Sequence, residues 1–193
     1  MSEVDQAPRG RRLLRRDERR AQLIRAAATA FARQGFAATS LEDVAREAGV
    51  TKVLIYRHFE SKTVLYEAVL NDARSRIRAR VGSPEEFGED TVRALVGAAC
   101  DDPDGYRLLH RHAQREPEFA AYAEELGRDA TEIAERRLRE TMPEPRRRRW
   151  VARLLPVMTT EIILSWLDAG QPTSLDELAQ TIRATQHALT DRG

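Results

Sequence analysis

Apolar residues recur at intervals of three and four along most of the chain, which is the period of an amphipathic helix. The first stripe contains Leu23, Ala27 and Phe31, and it predicts a helix from about Asp17 to Gly35. Further stripes predict helices over about 41–48, 51–59, 61–80, 90–100, 106–115, 117–141, 146–169 and 174–190. No segment is left over for a strand. We therefore predict an all-α protein of about nine helices.

Capping residues and breakers set the expected boundaries of these helices. Thr39 with Glu42 three residues later is typical of a capping box, which would open helix two, and Gly49 would end it. The segment DDPDG at 101–105 is expected to form a turn. Pro156 lacks a backbone N–H, so it should kink the long eighth helix.

The stretch GVTKVLIYRHFESK at 49–62 poses the main local question. Its bulky run, Val53–Tyr56, has the propensity of a buried strand. However, Ala45, Gly49 and Ile55 have the spacing of a helix-turn-helix: a small residue permits a close crossing, glycine forms the turn, and an aliphatic residue fills the gap. The chain also offers no partner strand. We therefore predict that 51–59 is the second helix of this motif.

The exposed face of that helix is unusual for a solvated surface. With Ile55 inward, a step of about 100° per residue turns Val53 and Arg57 outward, with Leu54 and Tyr56 beside them. Aliphatic side chains can contact thymine methyl groups, while Arg, Lys and Tyr reach base edges or phosphates. Lys52 lies in the first turn, where recognition helices usually contact bases. This pattern predicts a DNA-reading face.

Composition and charge agree with this prediction. The chain has 193 residues and a net charge of +1, yet residues 1–62 carry 13 Lys/Arg against 8 Asp/Glu. A basic front and a mildly acidic remainder indicate that the front meets a polyanion. The arginine-rich segment 1–16 is interpreted as a flexible arm, which either enters a minor groove or acts only as an electrostatic tail.

Other features limit the class of protein. The single Cys100 excludes an internal disulfide and suits a reducing compartment, so a cytoplasmic location is expected. No signal peptide and no apolar run approaching 18 residues are visible, so we expect no membrane contact. Nucleotide-binding loops, zinc motifs and nucleophile–base pairs are also missing, so we expect no enzyme, no metal and no cofactor. His110 and His112, two positions apart, point in different directions and cannot chelate one metal together.

The segment GFAATSLEDVAREAGVTKVLIYRHFESKTVLYEAVL at 35–70 resembles the DNA-binding domain of the tetracycline-repressor-like (TetR) family of bacterial transcription regulators. The shared pattern is a Gly-aromatic pair, a Thr-Ser cap, the A-x-x-A-G-V turn and Y-x-H-F-x-S-K-x-x-L. The resemblance implies contacts to the DNA backbone from Thr39 or Ser40, Tyr56, His58 and Lys62. It also implies that Thr51, Lys52, Val53 and Tyr56 face base edges. Many members have Gly or Pro in place of Val53 and a hydroxyl residue in place of Leu54, so we expect an unusual operator sequence.

The second half of the chain is expected to dimerise. The eighth helix is apolar almost all round, so it needs cover on every side, and the ninth carries a seam-like stripe. Two such helices and their copies would form a four-helix interface. The expected interface residues are Leu154, Ile162, Leu175, Leu178, Ile182 and Leu189.

By the family resemblance, helices five to seven should form a ligand chamber. The candidate lining residues are Tyr106, His110, Phe119, Tyr122, Trp150, Met158, Glu161 and Trp166, although each could equally be an ordinary core or surface residue. The expected domains are the arm 1–16, a helix-turn-helix domain 17–62, a connecting helix 61–80, and an effector-binding and dimerisation domain 83–193.

These expectations combine into one hypothesis and one alternative. The hypothesis is a homodimeric regulator, a repressor that an unknown small molecule releases from a palindromic DNA operator. The alternative is a DNA-bound protein-interaction module of the same fold without a small-molecule effector. A ligand pocket would favour the first, and a filled core with an exposed apolar patch would favour the second.

Overall fold

The computed structural model describes residues 15–82 and 90–191, and within these ranges it contains helices and no strand. The all-α prediction is therefore confirmed. The α-helices are α1 (Arg16–Ala38), α2 (Leu41–Ala48), α3 (Lys52–Tyr56), α4 (Lys62–Val81), α5 (Thr91–Asp101), α6 (Pro103–Arg107), α7 (Ala120–Arg137), α8 (Pro145–Asp168) and α9 (Leu175–Thr190). A π-helical turn over Leu108–His112 and a 3-10 turn over Ala113–Arg115 continue the chain beyond α6.

Several predicted boundaries are correct because side-chain caps fix them. Gly35 interrupts α1 with a φ of 77°, and Gly49 ends α2 with a φ of 63°. Ser61 caps α4, where its hydroxyl accepts the N–H of Val64 at 3.1 Å. Ser174 and Glu177 form a capping box at the start of α9, where the helix over 174–190 was predicted to begin. The serines satisfy backbone N–H groups that a helix start leaves unpaired, and the glycines supply the positive φ at the breaks.

Other boundary predictions are wrong. The N-cap of α2 is Ser40, paired with Asp43, because Thr39 turns inward and donates its hydroxyl to the carbonyl of Gly35 at 2.7 Å. The segment 101–105 is not a turn. Asp102 caps α6 by accepting the N–H of Gly105 at 3.0 Å, and Pro103 occupies the first turn, where its missing N–H costs nothing.

Two more helices differ from prediction in their ends. Helix α3 stops at Tyr56, not Phe59, since the N–H of His58 bonds back to the carbonyl of Ile55 in a tighter turn. Helix α7 covers only Ala120–Arg137. The predicted flexible arm lies outside the described residues except for Arg15 and Arg16.

One continuous apolar core joins the two predicted domains. It includes Phe31 of α1, Ile55 of α3, Tyr66 of α4, Leu109 of the π turn and Ile163 of α8. A second, smaller cluster links the end of α7 to the start of α8 through Leu138, Met142, Val151 and Ala152. A movement in the second half of the chain can therefore reach the helix-turn-helix through packed side chains.

By length and composition alone, helix α8 is long and apolar enough to cross a membrane. No such helix was expected from the sequence, because no uninterrupted apolar run approaches 18 residues. A core helix has the same composition, and α8 buries seven residues against its neighbours, among them Thr159 and Leu164. It continues through Pro156. Its composition therefore follows from core packing.

The predicted dimer seam needs a correction. Leu178 and Ile182 are buried in the protomer's own core, where α9 packs on α5, so they cannot face a second copy. Leu154, Ile162, Leu175 and Leu189 are half-buried. The apolar side chains that α8 leaves on the surface are Trp150 and Val157, each 61% exposed.

Candidate nucleic-acid interface

The turn between α2 and α3 has the geometry that a helix-turn-helix requires. Gly49 adopts the left-handed conformation, and the N–H of Val50 reaches back to the carbonyl of Ala45 at 3.0 Å. A side chain at Gly49 would be strained by this backbone conformation. Ile55 of α3 is fully buried between the helices. These two residues fix which face of α3 points outward.

The outward face of α3 is apolar and basic, as predicted. Val53 is 64% exposed and Tyr56 is 51% exposed, while Leu54 is half-buried. Arg57 is exposed directly after the helix, and it forms no ion pair with any residue in 15–82 or 90–191. Exposed aliphatic and aromatic groups beside a free cation suit the major groove.

Lys52 is tethered to the neighbouring helix. Its ammonium donates to Glu42 Oε1 at 2.5 Å and lies 5.9 Å from the ring centre of Tyr56. The hydrogen bond raises the pKa of Lys52 and lowers the pKa of Glu42. In the free protein this ion pair directs the Lys52 ammonium towards α2.

Lys62 supports the fold in addition to carrying charge. Its ammonium donates to the carbonyls of Phe36 at 2.8 Å and Thr39 at 3.1 Å, and it lies 4.2 Å from the ring centre of Phe36. These contacts hold the turn between α1 and α2 against the start of α4. One N–H of the ammonium is left for a phosphate.

The three predicted hydroxyl contacts differ in accessibility. Thr39 is 1% exposed, so its side chain cannot reach a phosphate, and this corrects the prediction for that residue. Ser40 is half-buried and exchanges hydrogen bonds with Asp43. These hydrogen bonds, together with one from Arg46, lower the pKa of Asp43 to about 2. Thr51 is exposed and caps α3.

Arginines of α1 extend this basic surface: Arg16 closes the predicted arm, and Arg19 and Arg20 lie beyond the residues that the motif assigned to DNA contact. Burial lowers the pKa of His58, and the positive charges of Arg16, Arg19 and Arg20 add to the effect. His58 is therefore neutral at neutral pH, but three arginines lie within electrostatic reach of it. The guanidinium of Arg20 lies 4.9 Å from the ring centre of Phe59. The spacing of three and four from Arg16 to Arg20 is the signal that could have placed them on one helical face.

A separate group of contacts connects this interface to the second half of the chain. Glu116, just beyond the 3-10 turn, accepts the backbone N–H of Phe36 at 2.6 Å and also accepts the hydroxyl of Tyr66. Nε2 of His112 lies 3.1 Å from the carbonyl oxygen of Ala32. A Cβ added at Gly35 would lie 3.1 Å from both Glu116 and His112. The α1 break is thus held directly by the segment that follows the π turn.

The predicted ligand-lining residues do not form one chamber. Trp150 and Glu161 lie exposed on α8, while Phe119 packs among Phe36 and Tyr66 in the core. Trp166 is buried and donates to the hydroxyl of Thr173, and Tyr122 and Met158 are half-buried. A surface cleft beside Asp102 and Asp104 and another beside Arg33 and Glu47 are not lined by any predicted ligand residue.

Tyr106 and His110 differ from the other six candidates. Their rings lie 4.5 Å apart between centres, inside the second half of the chain. The hydroxyl of Tyr106 and Nε2 of His110 are sealed from solvent without a hydrogen-bond partner among the described residues.

Comparison with known proteins agrees with this architecture. Residues 23–69 match the bacterial regulatory proteins of the tetR family. The transcriptional activator FasR of Mycolicibacterium smegmatis is 32% identical over 89% of this chain and 82% of its own length. The transcriptional repressor KstR2 of the same organism is 26% identical over 84% of this chain and 85% of its own length.

A solved structure shows the same fold. The ketosteroid transcriptional regulator KstR2 of Mycobacterium tuberculosis superposes with a TM-score of 0.72 at 21% identity, over 93% of this chain and 98% of that one. The chain therefore belongs to the TetR family of bacterial regulators, and it is a helix-turn-helix DNA-binding transcription regulator and not an enzyme.

Proposed function

We propose that the protein is a cytoplasmic homodimer that binds a palindromic operator and is controlled by a small-molecule effector. The observation that supports DNA reading most directly is the exposed pair Val53 and Tyr56 beside Arg57, which forms no ion pair within residues 15–82 and 90–191. Isolated in water, such an apolar face would be unfavourable, whereas the major groove supplies thymine methyl groups and base edges for it.

The contacts divide into two groups by chemistry. Thr51, Lys52, Val53 and Tyr56 face the bases, because they project from the exposed side of α3 or its cap. A second group contacts phosphates, which position the protein without reading sequence. This group consists of Ser40, Tyr56, Arg57, His58 and Lys62, joined by Arg16 and Arg20 of α1.

Dimerisation is supported by the surface of α8. Trp150 and Val157 lie seven residues apart, so they share one face of the helix, and each stays 61% exposed. An exposed stripe of this kind on a helix is the feature that a second copy covers in a two-fold interface. Two copies would present two α3 helices to two half-sites, which explains a palindromic operator.

Effector control is supported by the contacts that join the two halves. Glu116 and His112 hold the end of α1, so a ligand that moves the π turn changes the position of the helix-turn-helix. We assign repression for two reasons. A protein bound to an operator can block a promoter without contacting another protein, and the relative KstR2 is a repressor. The relative FasR is an activator, so the sign must be measured.

The alternative without an effector has one observation in its favour. Outside the DNA-binding half, the large apolar side chains exposed in the described part are Trp150 and Val157 of α8, where a protein partner could dock. The buried, unpartnered atoms of Tyr106 and His110 favour the effector, because a complete core rarely leaves two adjacent polar groups unpaired.

The test is protection footprinting of the promoter beside the protein's own coding sequence, together with a reporter in cells lacking the protein. We expect protection of two half-sites about one helical turn apart. We also expect reporter expression to rise in the deletion strain. A fall in expression would show activation, and protection of a single half-site would contradict the dimer.

A further inference from the structure

We propose that Tyr106 and His110 form the recognition pair for one uncharged hydrogen-bonding group, a hydroxyl or a carbonyl, on an otherwise apolar effector. The inference rests on the proposed function, since it assumes that an effector exists. It adds the chemical class of that effector and the two side chains that select it.

The first support is the pair of unpartnered atoms. Tyr106 is 2% exposed, and its hydroxyl makes no hydrogen bond of normal geometry to any described residue. The side chain of Thr160 on α8 approaches it and acts on its pKa as a weak hydrogen bond does. Nε2 of His110 is equally sealed, while part of the His110 residue reaches the surface. The ring centres are 4.5 Å apart, so the two side chains form one contacting pair. Buried polar groups are nearly always paired, so two adjacent exceptions indicate a missing partner.

The second support is the electrostatic character of the site. Burial lowers the pKa of His110 to about 4 and raises the pKa of Tyr106, so both side chains are neutral at neutral pH. The neighbours Leu108, Leu109 and Ile163 are apolar and buried. The carboxylate of Glu161 acts on Tyr106, but it lies exposed on α8, where water screens it. A charged ligand group placed beside the pair would therefore lose its hydration and gain only a screened counter-charge at best. An alcohol or ketone loses much less and gains hydrogen bonds.

The third support is the backbone. His110 lies within the π turn Leu108–His112, where the N–H of Ala113 bonds to the carbonyl of Leu108, five residues back. Such turns contain one residue more than a regular helical turn and often occur at functional sites. His112, in the same turn, contacts Ala32 of α1. A ligand held by His110 therefore acts on a segment that already contacts the DNA-binding half.

The experiment uses four six-membered-ring probes of similar size: cyclohexanol, cyclohexanone, cyclohexanecarboxylate and cyclohexylammonium. Calorimetry and thermal unfolding at pH 7.5 are measured on the full-length protein. We expect the alcohol and the ketone to bind and raise the melting temperature, and the two ions to leave it unchanged. Tyr106→Phe and His110→Phe should each weaken binding of the neutral probes at least about fivefold, the loss expected for one hydrogen bond.

Matched controls are Tyr122→Phe and His187→Phe, which remove the same groups elsewhere in the second half and should leave probe binding unchanged. Binding of the ions as tight as that of the neutral probes would overturn the proposal. So would failure of all four probes to bind, or equal binding by Tyr106→Phe, His110→Phe and the unaltered protein. That last result would mean that the pair is only a structural irregularity.

Operator binding is measured separately, so that the two ideas can fail independently. Selective binding of neutral probes that leaves operator affinity unchanged supports the recognition pair and contradicts effector control. An effector that releases the operator equally from the unaltered protein, Tyr106→Phe and His110→Phe supports effector control and overturns the recognition pair.

Discussion

The carboxylate of Glu116 accepts the backbone N–H of Phe36 at 2.6 Å, although the two residues are 80 positions apart in sequence. The same carboxylate accepts the hydroxyl of Tyr66, which is fully buried. Phe36 directly follows the break in α1, and its carbonyl is bound by Lys62. Glu116 therefore connects the second half of the chain to the turn that positions α2.

The first prediction concerns this connection. Glu116→Ala leaves the N–H of Phe36 and the hydroxyl of Tyr66 without their acceptor, so we expect the free energy of unfolding to fall by about 1–3 kcal/mol. Urea denaturation measures the change. Glu118→Ala, at an exposed neighbouring position, is the control and should change it by less than about 0.5 kcal/mol. Equal effects of the two substitutions would show that the Glu116 contacts contribute nothing.

The second prediction compares two glycines. Gly35 has a φ of 77°, and an added Cβ would lie 3.1 Å from both Glu116 and His112, so Gly35→Ala should destabilise the protein by about 1–3 kcal/mol. Gly127 lies within α7 with nothing near an added Cβ, so Gly127→Ala should stabilise by up to about 1 kcal/mol. Thermal unfolding of both variants gives the two signs. Stabilisation by Gly35→Ala would contradict the strained break.

Local sequence predicted those features that depend on near neighbours. Gly49, Ile55 and the Ser61 cap are fixed by contacts within a few residues, and the corresponding turn, buried position and helix start are confirmed. The start of α6 was missed because Asp102 and Pro103 read equally well as a turn and as a helix N-terminus. Only the packing of α6 on α1 and α4 selects the helix.

Long-range contacts could not be predicted from the pattern. The stripe containing Leu178 and Ile182 looks the same whether it faces a second copy or α5 of its own chain, and it faces α5. The Glu116–Phe36 bond joins positions 80 residues apart and leaves no periodic signal. Likewise, whether the Tyr106 hydroxyl has a hydrogen-bond partner depends on side chains from other helices, which the sequence pattern does not position.

The third prediction concerns pH. The folded-state pKa of His110 is lowered to about 4 from its usual 6.5, so the folded protein favours the neutral ring. This contribution to stability is fully present above about pH 6.5 and is lost as pH falls towards 4, because the unfolded chain takes up the proton first. The loss is at most about 3 kcal/mol, at about 1.4 kcal/mol per pH unit.

Urea denaturation between pH 7.5 and 4.5 tests this with His110→Phe, which cannot take up the proton. Below pH 6.5, we expect the unaltered protein to lose stability steadily relative to this variant as the pH falls. His187→Phe, an exposed histidine on α9, serves as the control and should follow the unaltered protein. Parallel pH curves for the unaltered protein and His110→Phe would show that the imidazole is not held neutral.

The fourth prediction concerns dimerisation. Val157 is 61% exposed and has little packing to lose, so Val157→Asp should leave the fold of the protomer intact. In a two-fold interface it would bury two carboxylates close together, so we expect the dimer to dissociate. Sedimentation at micromolar concentration measures the mass. The matched control is Val64→Asp, at an exposed valine of α4, which should remain dimeric. A dimeric Val157→Asp protein would place the interface elsewhere.

The last prediction separates base reading from phosphate binding. Arg57 is free of ion pairs in the described part, so Arg57→Ala should weaken binding to operator and to random DNA about equally and reduce the slope of log K against log salt by about 1.

Lys52 faces the bases, so Lys52→Ala should change the preference between operator variants, with a discrimination loss of about 1–3 kcal/mol at one base pair. Because Glu42 holds Lys52 at 2.5 Å in the free protein, Glu42→Gln should release it and tighten operator binding. Fluorescence anisotropy over a series of single-base operator variants and salt concentrations distinguishes the three variants. If Lys52→Ala weakened all variants equally, Lys52 would be a phosphate contact, and the sequence preference would then depend on Val53 and Tyr56.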